Sequence, residues 1–68
     1  MKNQLRPLRQ LANLTQQELA ERVQVSRQTI VSIESGKYVP STVLALKLAD
    51  KLGCSVADLF VLESDDWK

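Results

Sequence analysis

The sequence contains no histidine. That absence removes histidine-based general acid–base catalysis, Ser–His and Cys–His nucleophile pairs and the usual zinc ligand sets. Cys54 stands alone, so neither an intrachain disulfide nor a cysteine-based metal cluster can form. Its readings are a small buried hydrophobe, the commoner use, and a redox-sensing thiol. Aromatic residues are scarce, with one Phe, one Tyr and one Trp. The core must therefore be built from Leu, Ile, Val and Ala, which favours packed helices over a sandwich or barrel. The two glycines and two prolines all fall where helix ends are expected. No apolar run approaches the roughly 18 residues of a membrane span. No charged-then-apolar signal segment opens the chain. Repeats, low-complexity stretches and phosphate-cradling glycine loops are also missing. The expectation is a reduced, cytoplasmic protein that is not an enzyme, with no metal, no cofactor, no membrane attachment and no evident small-molecule ligand.

What is present is compact and helical in pattern. With 68 residues, 44% of them apolar, the chain reads as one domain spanning residues 1–68. A domain of this size buries only about 60% of its unfolded surface, so its stability is expected to be marginal. The net charge of +1 hides an uneven distribution. Residues 1–47 carry Lys2, Arg6, Arg9, Arg22, Arg27, Lys37 and Lys47 against Glu18, Glu21 and Glu34, a balance of +4. Residues 48–68 carry Lys51 and Lys68 against Asp50, Asp58, Glu63, Asp65 and Asp66, a balance of −3. A basic front and an acidic back orient a molecule toward a polyanion.

Five helices follow from caps and periodicity. Leu5, Leu8, Leu11 and Ala12 recur at helical spacing, and Pro7 suits a first turn, so a helix is expected over residues 5–12. Thr15-Gln16-Gln17-Glu18 is a capping box, and Leu14 with Leu19 makes the matching hydrophobic staple, which predicts a helix over 16–23. Ser26 caps the next helix, stapled by Val25 and Ile30, with Ile30 and Ile33 inward and Gly36 beyond its end, giving 27–35. Pro40-Ser41 opens a fourth helix over 42–52, striped by Leu44, Ala45, Leu48, Ala49 and Leu52 and ended by Gly53. Ser55-Val56-Ala57-Asp58 is a second capping box, opening a brief helix over 56–60. Phe60-Val61-Leu62 reads as extended, and 63–68 as a polar tail. Pairing of the N-terminal residues with this extended stretch would add a small two-stranded sheet to an otherwise all-α fold.

The second and third helices, separated by a short turn, read either as an ordinary αα corner or as a helix-turn-helix. The outward face of the third helix favours the second reading. With Ile30 and Ile33 inward, Arg27, Gln28, Val31 and Ser32 face out. A merely solvated helix would show Glu and Lys there. Arg bonds guanine O6 and N7 in parallel, Gln does the same to adenine N6 and N7, and a valine can meet a thymine methyl. These residues occupy the N-terminal part of the helix, the end that enters a major groove.

Gln16-Gln17-Glu18-Leu19-Ala20, Ser26-Arg27-Gln28-Thr29-Ile30 and Ile33-Glu34-Ser35-Gly36-Lys37-Tyr38 resemble the Cro/cI (lambda-repressor-like, XRE-type) helix-turn-helix family, over about Leu5 to Phe60. Within it the chain is most similar to small stand-alone bacterial or phage regulators without a ligand domain. The resemblance implies a five-helix fold and sequence-specific binding of double-stranded DNA, most simply as a repressor on a palindromic operator. It implies base reading by Arg27, Gln28, Val31 and Ser32, and phosphate contacts by Gln16, Ser26, Lys37 and Tyr38. It places Ala20 where the two helices touch, and Arg9 and Glu34 as a buried ion pair between the first and third helices; the plainer alternative for that pair is exposed and weak. The family often has glycine in the turn where this chain has Gln24. A left-handed Gln24 would be strained by about 1 kcal/mol and would alter the tilt of the third helix.

A module this small covers only about 600–1,000 Å² on DNA, and family members compensate by pairing two recognition helices one DNA turn apart. Val43, Leu46, Val56, Val61 and Leu62 exceed what one small core needs. A homodimer interface is expected at Val56, Leu59, Val61 and Leu62, the alternative being a broader monomer core. Trp67 belongs either to that interface or to a loose tail. The same surplus leaves open a different class of function, an antitoxin-like protein-interaction module whose DNA binding is autoregulatory.

Overall fold

In the computed structural model, which describes residues 1–68, every helix after the first begins at a side-chain cap. Thr15 Oγ1 accepts from the Glu18 N–H at 3.0 Å while Glu18 Oε1 accepts from the Thr15 N–H at 2.9 Å, which starts α2 (Gln16–Val23). Ser26 accepts from the Thr29 N–H and starts α3 (Arg27–Glu34). Ser41 accepts from the Leu44 N–H and starts α4 (Thr42–Leu52). Ser55 and Asp58 close the second capping box at the head of α5 (Val56–Leu59). Such caps satisfy backbone N–H groups that a helix leaves free, each contributing about 1 kcal/mol.

The helix ends differ from expectation by a residue at three places. α1 (Leu5–Leu11) stops one residue early, with Ala12 as its cap and Asn13 left-handed at φ 58°. α3 stops at Glu34, with Ser35 as its cap before left-handed Gly36. α5 stops at Leu59 because Phe60 turns extended to pair with the N-terminus. The expected two-stranded sheet is present: β1 (Lys2–Asn3) and β2 (Phe60–Val61) run antiparallel, with Lys2 opposite Val61 and Asn3 opposite Phe60. Residues 63–68 are not the plain tail expected. Ser64–Trp67 forms a 3₁₀ turn, closed by Asp66 Oδ2 accepting from the Glu63 N–H at 2.7 Å. Trp67 is exposed.

The core lies between the helices, with Leu5, Leu19, Ile30, Ile33, Leu48 and Leu59 fully buried. Each such side chain contributes roughly 1.5–3 kcal/mol of transfer free energy. Two expectations fail here. Leu59, expected at a dimer interface, is part of this core; as the last residue of α5 it points inward beside the turn into β2. On α1 the expected leucine stripe is not the buried one: Leu8 is half-buried and Leu11 exposed, while Leu5 and Arg9 are buried. Residues four apart share a helix face, so α1 turns the Leu5–Arg9 line inward. Arg9 makes that orientation favourable because every nitrogen of its buried guanidinium has a hydrogen-bond partner, as described next. Cys54 is half-buried at the edge of the core, and burial, with the Asp58 charge adding to it, pushes its thiol above its ordinary value.

Candidate nucleic-acid interface

The turn between α2 and α3 sets the angle of the exposed helix. Gln24 caps α2 in the left-handed region at φ 64°, and the Val25 N–H donates back to the Ala20 carbonyl at 3.0 Å. Ala20 is fully buried beneath this crossing. Val25 packs against the core, and Ser26 then caps α3. The strain at Gln24, about 1 kcal/mol, is the local cost of a turn without glycine.

On α3, Ile30 and Ile33 face inward, Arg27 and Gln28 are exposed, and Val31 and Ser32 are half-buried. Gln28 Nε2 donates to Ser32 Oγ at 3.4 Å, one turn along. The loop after α3 folds back over its last turn, because the Lys37 and Tyr38 N–H groups both donate to the Ser32 carbonyl, at 2.9 and 3.2 Å. Left-handed Gly36 makes that reversal. The result is an open polar notch lined by Ser26, Gln28, Thr29, Ser32, Lys37 and Tyr38. Five of the eight residues singled out as phosphate or base contacts in the sequence, Ser26, Gln28, Ser32, Lys37 and Tyr38, therefore share one hollow, and Thr29 joins them unforeseen.

Gln16 and Arg27 sit together beside this notch, joined by a hydrogen bond from Arg27 Nη2 to Gln16 Oε1 at 3.2 Å. Gln16 Nε2 in turn donates to Glu34 Oε1 at 3.1 Å. Glu34 is the hub. Its side chain is 0% exposed, and Arg9, 11% exposed, grips it from α1, Nε to Oε2 at 2.7 Å and Nη2 to Oε1 at 3.3 Å. Arg9 Nη1 donates to the Leu14 carbonyl at 2.7 Å. Arg6 adds a further bond from Nε to Glu34 Oε1 at 3.3 Å. Burial pushes the Glu34 carboxyl up, but the hydrogen bonds from Arg9, Gln16 and Arg6 outweigh it and hold the group below the ordinary glutamate value. No buried side-chain nitrogen or oxygen lacks a partner. The cluster joins α1, α2 and α3, and ends at the exposed guanidinium of Arg27.

Two residues of this architecture escaped the sequence reading. Arg6 carried a usable signal, lying three residues before Arg9 on the same helix. Asn3 carried none: its Nδ2 donates to the Ile33 carbonyl at 3.0 Å and its Oδ1 accepts from the Leu5 N–H, so it ties β1 to the end of α3 across 30 residues of sequence.

A short capped helix, held across a second by a tight turn and presenting Arg27 and Gln28 to solvent from its N-terminal part, defines a helix-turn-helix domain. The nature of the chain then follows from its relatives. The family model described as helix-turn-helix matches residues 5–59. An uncharacterised HTH-type transcriptional regulator of Methanocaldococcus jannaschii is 52% identical over 66 residues, covering 97% of this chain and 100% of the relative. The crystal structure of the restriction-modification controller protein C.AhdI from Aeromonas hydrophila matches with a TM-score of 0.76 at 36% identity, over 82% of this chain and 85% of that one. The clp gene regulator ClgR from Corynebacterium glutamicum matches with a TM-score of 0.75 at 37% identity; the match covers 79% of this chain but only 57% of ClgR. The chain belongs to the helix-turn-helix family of Cro/cI-like proteins and is a DNA-binding transcriptional regulator, not an enzyme. No three His, Cys, Asp or Glu side chains come together as a metal-ligating group, and no helix is long and apolar enough to cross a membrane.

Proposed function

We propose that this regulator is a repressor that binds a palindromic operator in the cytoplasm as a homodimer, with α3 of each copy in a major groove. The observation that carries the reading is the N-terminal part of α3, where Arg27 and Gln28 are exposed beside the notch that Ser26, Ser32, Lys37 and Tyr38 line. Arg27, Gln28, Val31 and Ser32 read base edges, and Ser26, Lys37, Tyr38 and Gln16 meet phosphates. Gln16 keeps one amide N–H and its backbone N–H for that contact, since its Oε1 and its other N–H are engaged by Arg27 and Glu34.

The homodimer reading is supported by apolar surface away from α3 itself, along α4, α5 and β2. Val61 and Leu62 are exposed, and Val56 lines an apolar depression with Met1, Val39, Pro40, Leu46 and Phe60. A two-fold pair joined there sets two copies of α3 on one face of a duplex, about 34 Å apart. The same depression favours the second reading, a protein-interaction module with autoregulatory DNA binding. Recovery of a stoichiometric different protein from the native cell, with no self-association of the purified chain, selects that reading instead.

In vitro selection from random duplexes tests the proposal. The expected product is a palindrome with half-sites one helical turn apart; a pool without enrichment at modest salt would overturn it. On the selected site, Arg27→Ala should cost about 1–3 kcal/mol and relax one base position. Equal losses on selected and random DNA would remove Arg27 from the reading set. Lys37→Ala should reduce the salt slope by about one unit at unchanged sequence preference.

A further inference from the structure

Arg6 is the member of the Glu34 cluster that the ion pair does not need. Glu34 carries one negative charge, and Arg9 already bonds both of its oxygens. Arg6 brings a second cation to the same carboxylate, through Nε alone. Two arginines against one carboxylate leave a surplus positive charge, and that charge is on Arg6, whose side chain is 59% exposed while that of Arg9 is 11%. Arg6 Nη1 and Nη2 make no hydrogen bond within the protein. A pair as exposed as this adds little to stability.

Its position gives the surplus a use. Glu34 Oε1, which accepts from Arg6, also accepts from Gln16 Nε2, and Gln16 Oε1 accepts from Arg27. Arg6 therefore shares an acceptor oxygen with the first residue of α2, which in turn bonds Arg27. The nearest acid in sequence, Glu18, is two residues past Gln16; at 3.6 residues per turn that step places it on the far side of α2, where it is engaged with Thr15. Gln16 is a neutral amide with an exposed guanidinium to either hand of its chain of bonds: Arg27, bonded to its Oε1, and Arg6, which shares Glu34 Oε1 with its Nε2, while Arg9 is enclosed.

We propose that Arg6 contacts a backbone phosphate of the bound duplex, extending the interface from α2 and α3 onto α1. Its Nε stays on Glu34, which holds the planar guanidinium in place, and the Nη groups turn their N–H donors to phosphate oxygens in the fork that arginine offers. This inference rests on the reading of α3 as the groove helix. It adds a sequence-independent contact and no base preference.

The test compares salt dependence of duplex binding by the whole chain, its Arg6→Gln and Arg6→Lys variants, and Lys37→Ala as a reference. Glutamine keeps a donor for Glu34 without the charge. Arg6→Gln is expected to lower the slope of log K against log salt by about 0.9, so that raising salt from 50 to 200 mM costs it about 3.5-fold less affinity than it costs the unchanged chain. The ratio of selected-site to random-site affinity should not move, nor should the thermal midpoint. Arg6→Lys, which keeps the charge, should restore the slope. An unchanged slope for Arg6→Gln alongside a lowered one for Lys37→Ala would overturn the Arg6 contact and leave the groove reading intact. A shift in sequence preference or a large fall in thermal midpoint would also overturn it, in favour of a positioning or structural role. If the unchanged chain shows no salt-dependent binding to any duplex, both fall together.

Discussion

The molecule has two clusters of opposite charge with nearly the same distances and quite different physics. On the front, Arg9 meets Glu34 at 2.7 Å with the carboxylate side chain 0% exposed. On the back, the Met1 ammonium meets Glu63 at 2.9 Å and Asp66 at 3.1 Å, with those side chains 46% and 27% exposed. Burial makes the difference. A carboxylate removed from water must have its lone pairs met, and three side chains meet those of Glu34. Water competes for every contact on the back, and salt screens what remains. The front cluster is therefore structural, tying α1 and α2 to the end of α3. The back cluster decorates a turn.

The sharpest way to break this contrast is Glu34→Ala, which strands a largely buried Arg9. It should destabilise by about 3–5 kcal/mol and lower the thermal midpoint by on the order of 12 °C or more, followed by circular dichroism. A change of only a few degrees would put the front pair on the same footing as the back one. Leu59→Ala comes next, at about 2–5 kcal/mol in chemical denaturation, because it opens a cavity in the core, whereas Leu62→Ala should leave monomer stability nearly untouched. Equal effects would return Leu59 to the surface.

Acid should separate the clusters further. The Glu34 carboxyl lies below its ordinary value in the folded protein. Its contribution is thus fully present above the unfolded value of about 4.3, and is lost as pH falls through the lower folded value. Glu34→Gln should make the decline of stability below about pH 4 shallower than in the unchanged chain. Parallel curves would mean that Glu34 takes up no proton in this range. Gln24→Gly should raise stability by about 0.5–1 kcal/mol by relieving the left-handed glutamine, read from denaturant midpoints. Smallest of all, Asp66→Ala should move the thermal midpoint by no more than a few degrees.

Much of the fold was legible because helix starts are local chemistry. Thr15 with Glu18, and Ser55 with Asp58, are capping boxes recognisable from four residues each. Ile30 and Ile33 declared the inner side of α3, and with it the side left for Arg27 and Gln28. The face of α1 was not legible in the same way. Its leucines suggested one stripe, yet the buried line passes through Leu5 and Arg9, a choice that depends on a carboxylate 25 residues away. Leu59 misled for a related reason: an apolar residue near the end of a short helix looks the same whether it faces its own core or another copy. At the candidate site, Lys37 and Tyr38 were visible as loop residues, but the notch they form with Ser26 and Ser32 depends on how Gly36 reverses the chain. Arg6 and Asn3 act through contacts spanning 28 and 30 positions, which no local pattern encodes.

Taken alone, the order of residues determined where the helices begin, which side of α3 is apolar, and that no histidine chemistry could be at work. These are consequences of hydrogen bonds and periodicities acting within a turn or two of chain. Only the tertiary structure decided that Arg9 goes inside, that Leu59 belongs to the core, and that Gln16 links Arg27 to a buried carboxylate. Those outcomes depend on which groups lose water when distant segments meet, and desolvation is a property of the packed chain rather than of any stretch of it.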